Sequence, residues 1–396
     1  MSKRVAIPIV LVLVLVAGVF LLREFLPSEP KTAGHGSAEA QYVGISNETI
    51  GKLTETDRNN IFWTSDSGEG GVAFSTAPVY FPSLLRIGQG FAAPDRDAII
   101  WVDQDLQNKK SFPVPGLDIG MQSTMSTSLD YSHGAFTFSK GDADFPDAKK
   151  VVAVTANGAR STDREHYVSA LTACNNGVIK WIEFLPYDNK EVESRGTAQI
   201  VTWRPDGDIE TSHIPREFLY APPNENQLSC DSSSHTIVSE DANGNPMSLR
   251  LESRGKETVV KDETELPDIL PPAMARFATV FDNTLYSLDK EDVLTAIDLK
   301  EGTLQYREPL DVTGPSPVSV TFEHDRAYVV VRPDEFENKQ AVLPVVLEKP
   351  HCTGKVVPLI GYDETSQKSK FERLGDSFMV TTNALPKEPG RTPLCR

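Results

Sequence analysis

The chain has 396 residues, 39% hydrophobic and 24% charged, with 28 Pro and 26 Gly, the composition of a globular protein with many turns. Its formal net charge of −17 excludes a nucleic-acid partner, which needs a basic surface, and argues against an anionic lipid surface as the docking site of the folded part. Acidic charge of this kind keeps an exported domain soluble.

At the N-terminus, Lys3 and Arg4 precede Val5–Leu22, an uninterrupted apolar run closed by Arg23 and Glu24. At about 1.5 Å per residue, such a helix spans a hydrocarbon core. Basic residues ahead of it favour a cytoplasmic N-terminus with the remainder outside. A cleaved signal peptide is the competing reading, but its small-x-small site, Ala38-Glu39-Ala40, lies far beyond Leu22. No cysteine is near the run, which excludes lipoprotein processing. Residues 1–24 are therefore read as a cytoplasmic tip and a transmembrane signal anchor. The protein is expected on the cell membrane, single-pass, with its C-terminal domain extracytoplasmic. Residues 25–55 are rich in Pro, Gly, Ala, Ser and charge and read as a flexible linker. Asn47-Glu48-Thr49 matches a glycosylation sequon, a pattern too short to carry weight alone.

Residues 56–396 read as one all-β domain. Phe277–Gln305 sets the pattern: Phe277–Phe281, Leu285–Leu288, Val293–Ile297 and Thr303–Gln305 are short β-rich runs separated by Asp282-Asn283, Asp289–Asp292 and Lys300–Gly302. One such sheet cannot bury both faces, so copies of it should pack around it. Seven apolar runs double back through polar turns: Leu84–Val102, Met125–Phe138, Tyr167–Phe184, His235–Leu251, Phe277–Leu288, Val318–Val331 and Phe371–Thr382. Most turns recur about 40 to 50 residues apart, the period of a four-stranded blade, with one longer gap between Cys174 and Asp241. Seven blades are expected; six or eight are the alternatives, decided by that gap. Glu193-Ser-Arg-Gly196 onward is echoed by Glu252-Ser-Arg-Gly255 onward, and Trp203-Arg-Pro-Asp206 by Val331-Arg-Pro-Asp334.

Tyr286-Ser-Leu-Asp289, Leu294-Thr-Ala-Ile-Asp298-Leu and Glu301-Gly302 resemble the repeat of PQQ-like and WD-type β-propellers, and Ile99-Ile-Trp-Val-Asp103 is a partial second match. The resemblance implies a propeller and nothing about chemistry. The four Trp residues show no per-repeat motif for a quinone, so no cofactor is expected.

Cys174, Cys230, Cys352 and Cys395 form an even set in an exported chain, and no C-x-x-C is present. Of the three pairings, Cys174–Cys230 with Cys352–Cys395 is preferred, because Cys174 and Cys230 each lie shortly before an ESRG echo. Catalytic motifs are sparse. Gly375-Asp376-Ser377 has the letters of an esterase nucleophile block, but no His follows His351 and the triplet sits between strand-like runs. The histidines, including His133 and His324 in hairpin turns of different repeats, lack metal-ligand spacing and read as surface residues. Asp142–Asp147 and Asp241–Asn245 offer alternating oxygens; the second has Glu252 at the twelfth position but Asn-Pro where a calcium loop needs its Gly, so both read as polar turns and no metal is expected. The sequence thus points to a binding or scaffolding module for a partner protein or an envelope polymer. The rivals are a glycan hydrolase with two carboxylates in the channel, and an accessory subunit of a membrane complex.

Overall fold

A computed structural model describes residues 39–390 except 48–57, 68, 78, 80–81, 118–121, 140–148, 187–195, 219–227, 231–232, 241–242, 268–276, 290, 311–318, 332–339 and 360–381. The predicted anchor Val5–Leu22 lies outside these residues, and no helix among the described residues is long and apolar enough to cross a membrane.

The strands form sheets that follow one another along the chain. β1 (Tyr42–Asn47), β2 (Asn59–Thr64) and β3 (Gly70–Thr76) pair antiparallel with the last strand, β28 (Thr382–Pro386), which borders β1. Next come β4 (Leu85–Arg86), β5 (Gly90–Asp95), β6 (Ala98–Asp103) and β7 (Lys109–Pro113), then β8 (Gln122–Thr127), β9 (Gly134–Ser139), β10 (Lys149–Thr155) and β11 (Gly158–Arg164). A seven-stranded sheet joins β12 (Tyr167–Ala173), β13 (Ile179–Pro186), β14 (Gly196–Trp203) and β15 (Ile209–Phe218) to β18 (Glu257–Glu265), β17 (Pro246–Arg254) and β16 (Ser234–Glu240). Its two parts meet through one parallel bridge, His213 to Glu257. β19 (Phe277–Phe281), β20 (Thr284–Leu288), β21 (Val293–Asp298) and β22 (Thr303–Pro309) form the unit expected from Phe277–Gln305. β23 (Ser319–Glu323), β24 (Arg326–Val331), β25 (Ala341–Val346) and β26 (Lys349–Thr353) follow, with β27 (Val357–Pro358) also on β25.

Sequence character changes with position in each sheet. Second and third strands such as β24 (RAYVVV) and β25 (AVLPVV) are buried along nearly their whole length, because a sheet lies against each face. Fourth strands such as β7 (KKSFP) are exposed and charged. First strands are short and rich in Ser and Thr. The turns are as the letters suggested. Asp282 and Asn283 both have positive φ, the requirement of a two-residue type I′ hairpin. Asp298 Oδ1 accepts the Lys300 and Glu301 N–H groups at 2.8 and 3.0 Å. Asp103, at the end of the equivalent third strand, likewise accepts from Gln107 and Asn108. The two Asp residues that carried the propeller resemblance are therefore turn caps at matching places.

Apolar cores lie between successive sheets. The largest packs the β28–β1–β2–β3 sheet against both neighbours, with Val43, Ile45 and Phe62 meeting Phe91 and Ile100 on one side and Tyr328 and Val342 on the other. The ring is thus closed by one C-terminal strand, β28, pairing with β1 at the edge of a sheet of three N-terminal strands. Gly44 permits this: a Cβ there would collide with the Phe62 ring and the Asn383 carbonyl.

Several expectations are corrected in detail. Tyr42–Asn47, inside the stretch read as linker, is β1; its apolar residues find a partner only when the far end of the chain arrives. The Leu84–Val102 hairpin turns between the second and third strands of its sheet; Met125–Phe138, Tyr167–Phe184, Phe277–Leu288 and Val318–Val331 turn between first and second, and His235–Leu251 joins β16 to β17. Phe371–Thr382, with Gly375-Asp376-Ser377, lies outside the described residues. The segments that follow the two ESRG echoes enter β14 and β18, which flank β15 on either side.

Candidate functional site: the mouth of the channel

The first strands of the sheets end together around a cavity of about 410 Å³. β4, β8, β12, β19, β23 and β28 each contribute, and so does the segment Leu228–Cys230 ahead of β16. Their Ser, Thr and Asn side chains stitch neighbour to neighbour. Thr127 Oγ1 donates to the Arg86 carbonyl at 3.0 Å. Ser126 Oγ accepts the Ala173 N–H at 2.9 Å, and Thr172 Oγ1 accepts the Leu228 N–H at 3.2 Å. Asn383 on β28 reaches both ways, accepting the Leu84 N–H at 3.1 Å and donating to Thr321 Oγ1. A hydroxyl satisfies a neighbour's backbone where a large apolar side chain would fill the channel, which explains the composition of these strands.

Arg86 sits at the closure. Its Nε donates to Glu323 Oε1 at 2.8 Å, its Nη1 to the Lys387 carbonyl at 3.0 Å and its Nη2 to the Pro386 carbonyl. Both charged side chains are buried, 2% and 3% exposed. The guanidinium also lies 5.1 Å from the Phe91 ring centroid and 5.5 Å from that of Tyr131. One residue of β4 therefore holds β23 and β28 together.

Tyr131 and His324 lie over this pair. Both occupy hairpin turns with positive φ, 59° and 57°. Tyr131 Oη is 3.2 Å from His324 Nδ1, and the ring centroids are 4.9 Å apart. Burial, reinforced by the Glu323 charge, raises the Tyr131 pKa, and burial lowers that of His324, so both are neutral near pH 7. Glu323 Oε2, His324 Nε2 and Tyr328 Oη are buried without a hydrogen-bond partner among the described residues. The rim is apolar at Leu129, which is 63% exposed.

The Cys174–Cys230 disulfide is present, with Cα atoms 5.5 Å apart. It ties the end of β12 to Leu228–Cys230 beside the mouth. The two cysteines are not at matching places of two repeats: Cys174 follows a first strand and Cys230 ends the segment before β16, and that offset brings them together. Cys352 is also disulfide-bonded; Cys395, its expected partner, lies outside the described residues. Next to Cys230, Ser229 donates its N–H to His235 Nδ1 at 3.1 Å and its carbonyl accepts Lys180 Nζ at 2.7 Å. Burial, then the Lys180 charge, depress His235 to about 4.

The surface reading of the histidines fails for His235, which is buried, and for His324, which lines the mouth and is half-buried against Tyr131. His133 and His324 do not meet; His133 bonds Ser132 Oγ, and Tyr131, two residues earlier, meets His324. Of the two oxygen-rich turns, Asp142–Asp147 lies outside the described residues. Glu252, the twelfth position of the other, is occupied by Lys261 Nζ at 2.9 Å and Arg254 Nε at 3.2 Å, which hold its carboxyl at about 2. No group of three or more metal-ligating side chains occurs among the described residues. The Arg86–Glu323 pair escaped sequence reasoning because 237 residues separate its members.

No protein-family model matches the chain, and no curated protein sequence matches it. Solved structures do. Puromycin hydrolase, as an S511A mutant complexed with PGG, is similar over 85% of this chain and 55% of its own, at 12% identity and a TM-score of 0.51. The β-propeller domain of the Trilobed protease from Pyrococcus furiosus is similar over 85% of this chain and 98% of its own, at 10% identity and a TM-score of 0.50. The chain is a β-propeller. At these identities the likeness is one of fold alone. The chain spans 36% of the tricorn protease chain, which it matches at 13% identity and a TM-score of 0.47. The Pyrococcus propeller is described as having an open velcro topology; here β28 pairs with β1 over five residues, Ser46 to Tyr42.

Proposed function

We propose that this chain is a single-pass, membrane-anchored, extracytoplasmic propeller of seven blades that binds a partner on the face where its first strands end. The partner is a protein or an envelope polymer. The observation that carries this reading is the convergence of seven chain segments on one mouth, fixed by side chain-to-backbone stitches and the buried Arg86–Glu323 pair. Such a platform is rigid, while the turns that rim it are free to differ.

The seven-blade count is supported by the same segments. Leu228–Cys230 takes the innermost place of a blade whose other strands are β16, β17 and β18. The outermost strands of consecutive blades then run in one direction, consistent with the parallel β15–β18 bridge. Binding is favoured over glycan hydrolysis because acid–base pairs need two carboxylates. Glu323, the one buried carboxylate among the described residues of the cavity, is engaged by Arg86.

Two measurements test the reading. Protease added to intact cells should remove the folded domain from outside, and protection would overturn the topology. A photo-crosslinker at Leu129 on the rim should give discrete products in intact envelopes, whereas one at Leu304 on the exposed outer strand β22 should not. Equal yields, or none at Leu129, would sink the assignment of the binding face.

A further inference from the structure

Among the described residues, apolar clusters lie between consecutive sheets, and one of them is the smallest. Between the β16–β18 sheet and the β19–β22 sheet the buried apolar cluster shrinks to six residues, Val238 and Leu266 against Ala278, Leu285, Ile297 and Leu299. Toward the mouth the two sheets part into a cleft of about 830 Å³. Its two walls differ in chemistry.

The β16–β18 wall is a polar grid. Register places Thr236 opposite Arg250 and Arg250 opposite Asp262, and in the next row Ser248 opposite Thr264. Neighbouring strands are about 4.8 Å apart and successive same-face residues about 6.8 Å apart, so hydroxyls and charged groups recur at the spacing of a pleated sheet. Ser248 is 3% exposed and faces the cleft, and neither its hydroxyl nor that of Thr236 has a partner among the described residues. Neither hydroxyl is among the side-chain atoms buried without a partner inside the protein, so both open onto the cleft and are free to bond what enters it. The facing wall carries Val280 and Leu299 together with Asp282, Asn283, Lys300 and Glu301.

The ends of the cleft are defined. Outward, the Lys300–Gly302 turn docks on β18, with Thr264 Oγ1 donating to the Lys300 carbonyl at 3.4 Å. Gly302 has φ of +65°, and a Cβ there would strike the Glu265 carbonyl, so only glycine permits this contact. Inward, the cleft opens at Leu228, Ser229, Val280 and Asp282 onto the mouth itself.

We infer that this cleft is a binding site for an uncharged oligosaccharide segment. The rim charges are largely engaged by one another: Arg250 lies 3.4 Å from Asp262, Lys300 lies 3.1 Å from Glu301, and Glu263 is held by Arg216. The remaining balance is acidic, which disfavours anionic polymers. An extended peptide is recognised chiefly through its backbone along a free strand edge. The cleft offers a sheet face instead, since β16, β17 and β18 pair with one another across it. A pyranose chain presents hydroxyls that donate and accept on its edges and C–H groups on its faces, matching the hydroxyl, amide and charged groups of both walls and the apolar patch at Val280. The volume lies within the range of small-ligand sites. This inference rests on the proposed binding role and narrows its ligand.

The test is microcalorimetric titration of the full chain, in detergent, with two neutral probes, an N-acetylglucosamine tetramer and a glucose tetramer. At least one should bind. Thr236→Val with Ser248→Ala, which removes both hydroxyls, should weaken that binding at least tenfold while leaving the thermal midpoint unchanged or higher. Thr162→Val, on β11 of another sheet, should leave it unchanged. No binding of either tetramer, undiminished binding by the double variant, or tighter binding of an extended Ala/Ser peptide of similar length would overturn the inference. The Leu129 cross-linking experiment is independent of sugar, so failure here leaves the broader reading standing.

Discussion

Arg86→Met is the sharpest probe of how the ring is closed. The substitution keeps an unbranched side chain of similar reach beside Phe91. It deletes the donors to Glu323 Oε1 and to the Lys387 and Pro386 carbonyls. Glu323 is then a buried carboxylate without a counter-charge, a change that costs roughly 3–5 kcal/mol. The carbonyls of Pro386, the last residue of β28, and of Lys387 just after it also lose their donor. The damage should be local first: β28 is held in its sheet by β1 alone and carries no hydrophobic residue larger than Leu385. Amide exchange at Asn383–Leu385 should therefore accelerate by orders of magnitude under native conditions, before global unfolding by urea shifts. Arg86→Met with Glu323→Met removes both charges and should recover at least half of the loss, because the cost is that of an unpaired charge more than of a missing attraction. A loss below about 1 kcal/mol in Arg86→Met, unchanged exchange at β28, or a double variant as unstable as the sum of the singles would refute this account.

Cys174→Ala with Cys230→Ala opens a loop of 56 residues and should cost about 4 kcal/mol in the chain-entropy picture, read as a lower urea midpoint with a steeper slope as the unfolded chain expands. His235 titrates near 4 when folded and near 6.5 when unfolded, so its contribution is complete above about pH 6.5 and is lost as pH falls toward 4. Between pH 7 and 5 this amounts to about 2 kcal/mol, and His235→Asn, whose amide oxygen can still accept from Ser229, should lack that part of the pH dependence. Asp292 has the opposite sign: burial, then the Asp289 charge, raise it to about 6, so its ionised form is penalised in the folded state at pH 7 and relieved as pH falls below 6. Asp292→Asn should stabilise the protein by about 1 kcal/mol at pH 7, after allowing for screening at a half-buried site, and by nothing near pH 4.

The fold was legible because its signals are local. A polar turn between two apolar runs needs no knowledge of the rest of the chain, and six of the seven predicted hairpins stand in the structure as β-hairpins. Asp298 and Asp103 announced themselves in the same way, since each caps a turn only a few residues downstream. The disulfide Cys174–Cys230 was chosen from repeat position, and it forms for a neighbouring reason, an offset of one strand. What the letters hid is non-local. Tyr42–Asn47 looks like the tail of a linker until β28 pairs with it. Arg86 reads as one more charge in a strand until Glu323 and the carbonyls of residues 386 and 387 surround it. His324 resembles any turn histidine until Tyr131 arrives from 193 residues away. One trace of the mouth was visible throughout: the runs STMST, SALTA and SVTFE are poor in large residues at sites where a core strand would carry them.

The long gap between Cys174 and Asp241 was the one irregularity in the repeat, and it coincides with the chemistry left unexplained by folding. In that interval the segment Leu228–Cys230 is pinned beside the mouth by a disulfide, by Thr172, by Lys180 and by His235. The blade that follows keeps an apolar face toward β12–β15, where Ile237, Leu249 and Leu251 meet Ile182 and Ile200. Its opposite face carries Thr236, Ser248 and Arg250 toward the cleft. A repeat protein selected only for stability would fill that interface as it fills the others, since each buried Val or Leu is worth about 1.5–3 kcal/mol. Thr236→Val and Ser248→Ala should therefore stabilise the domain even as they weaken ligand binding, a trade expected of a site and not of a scaffold.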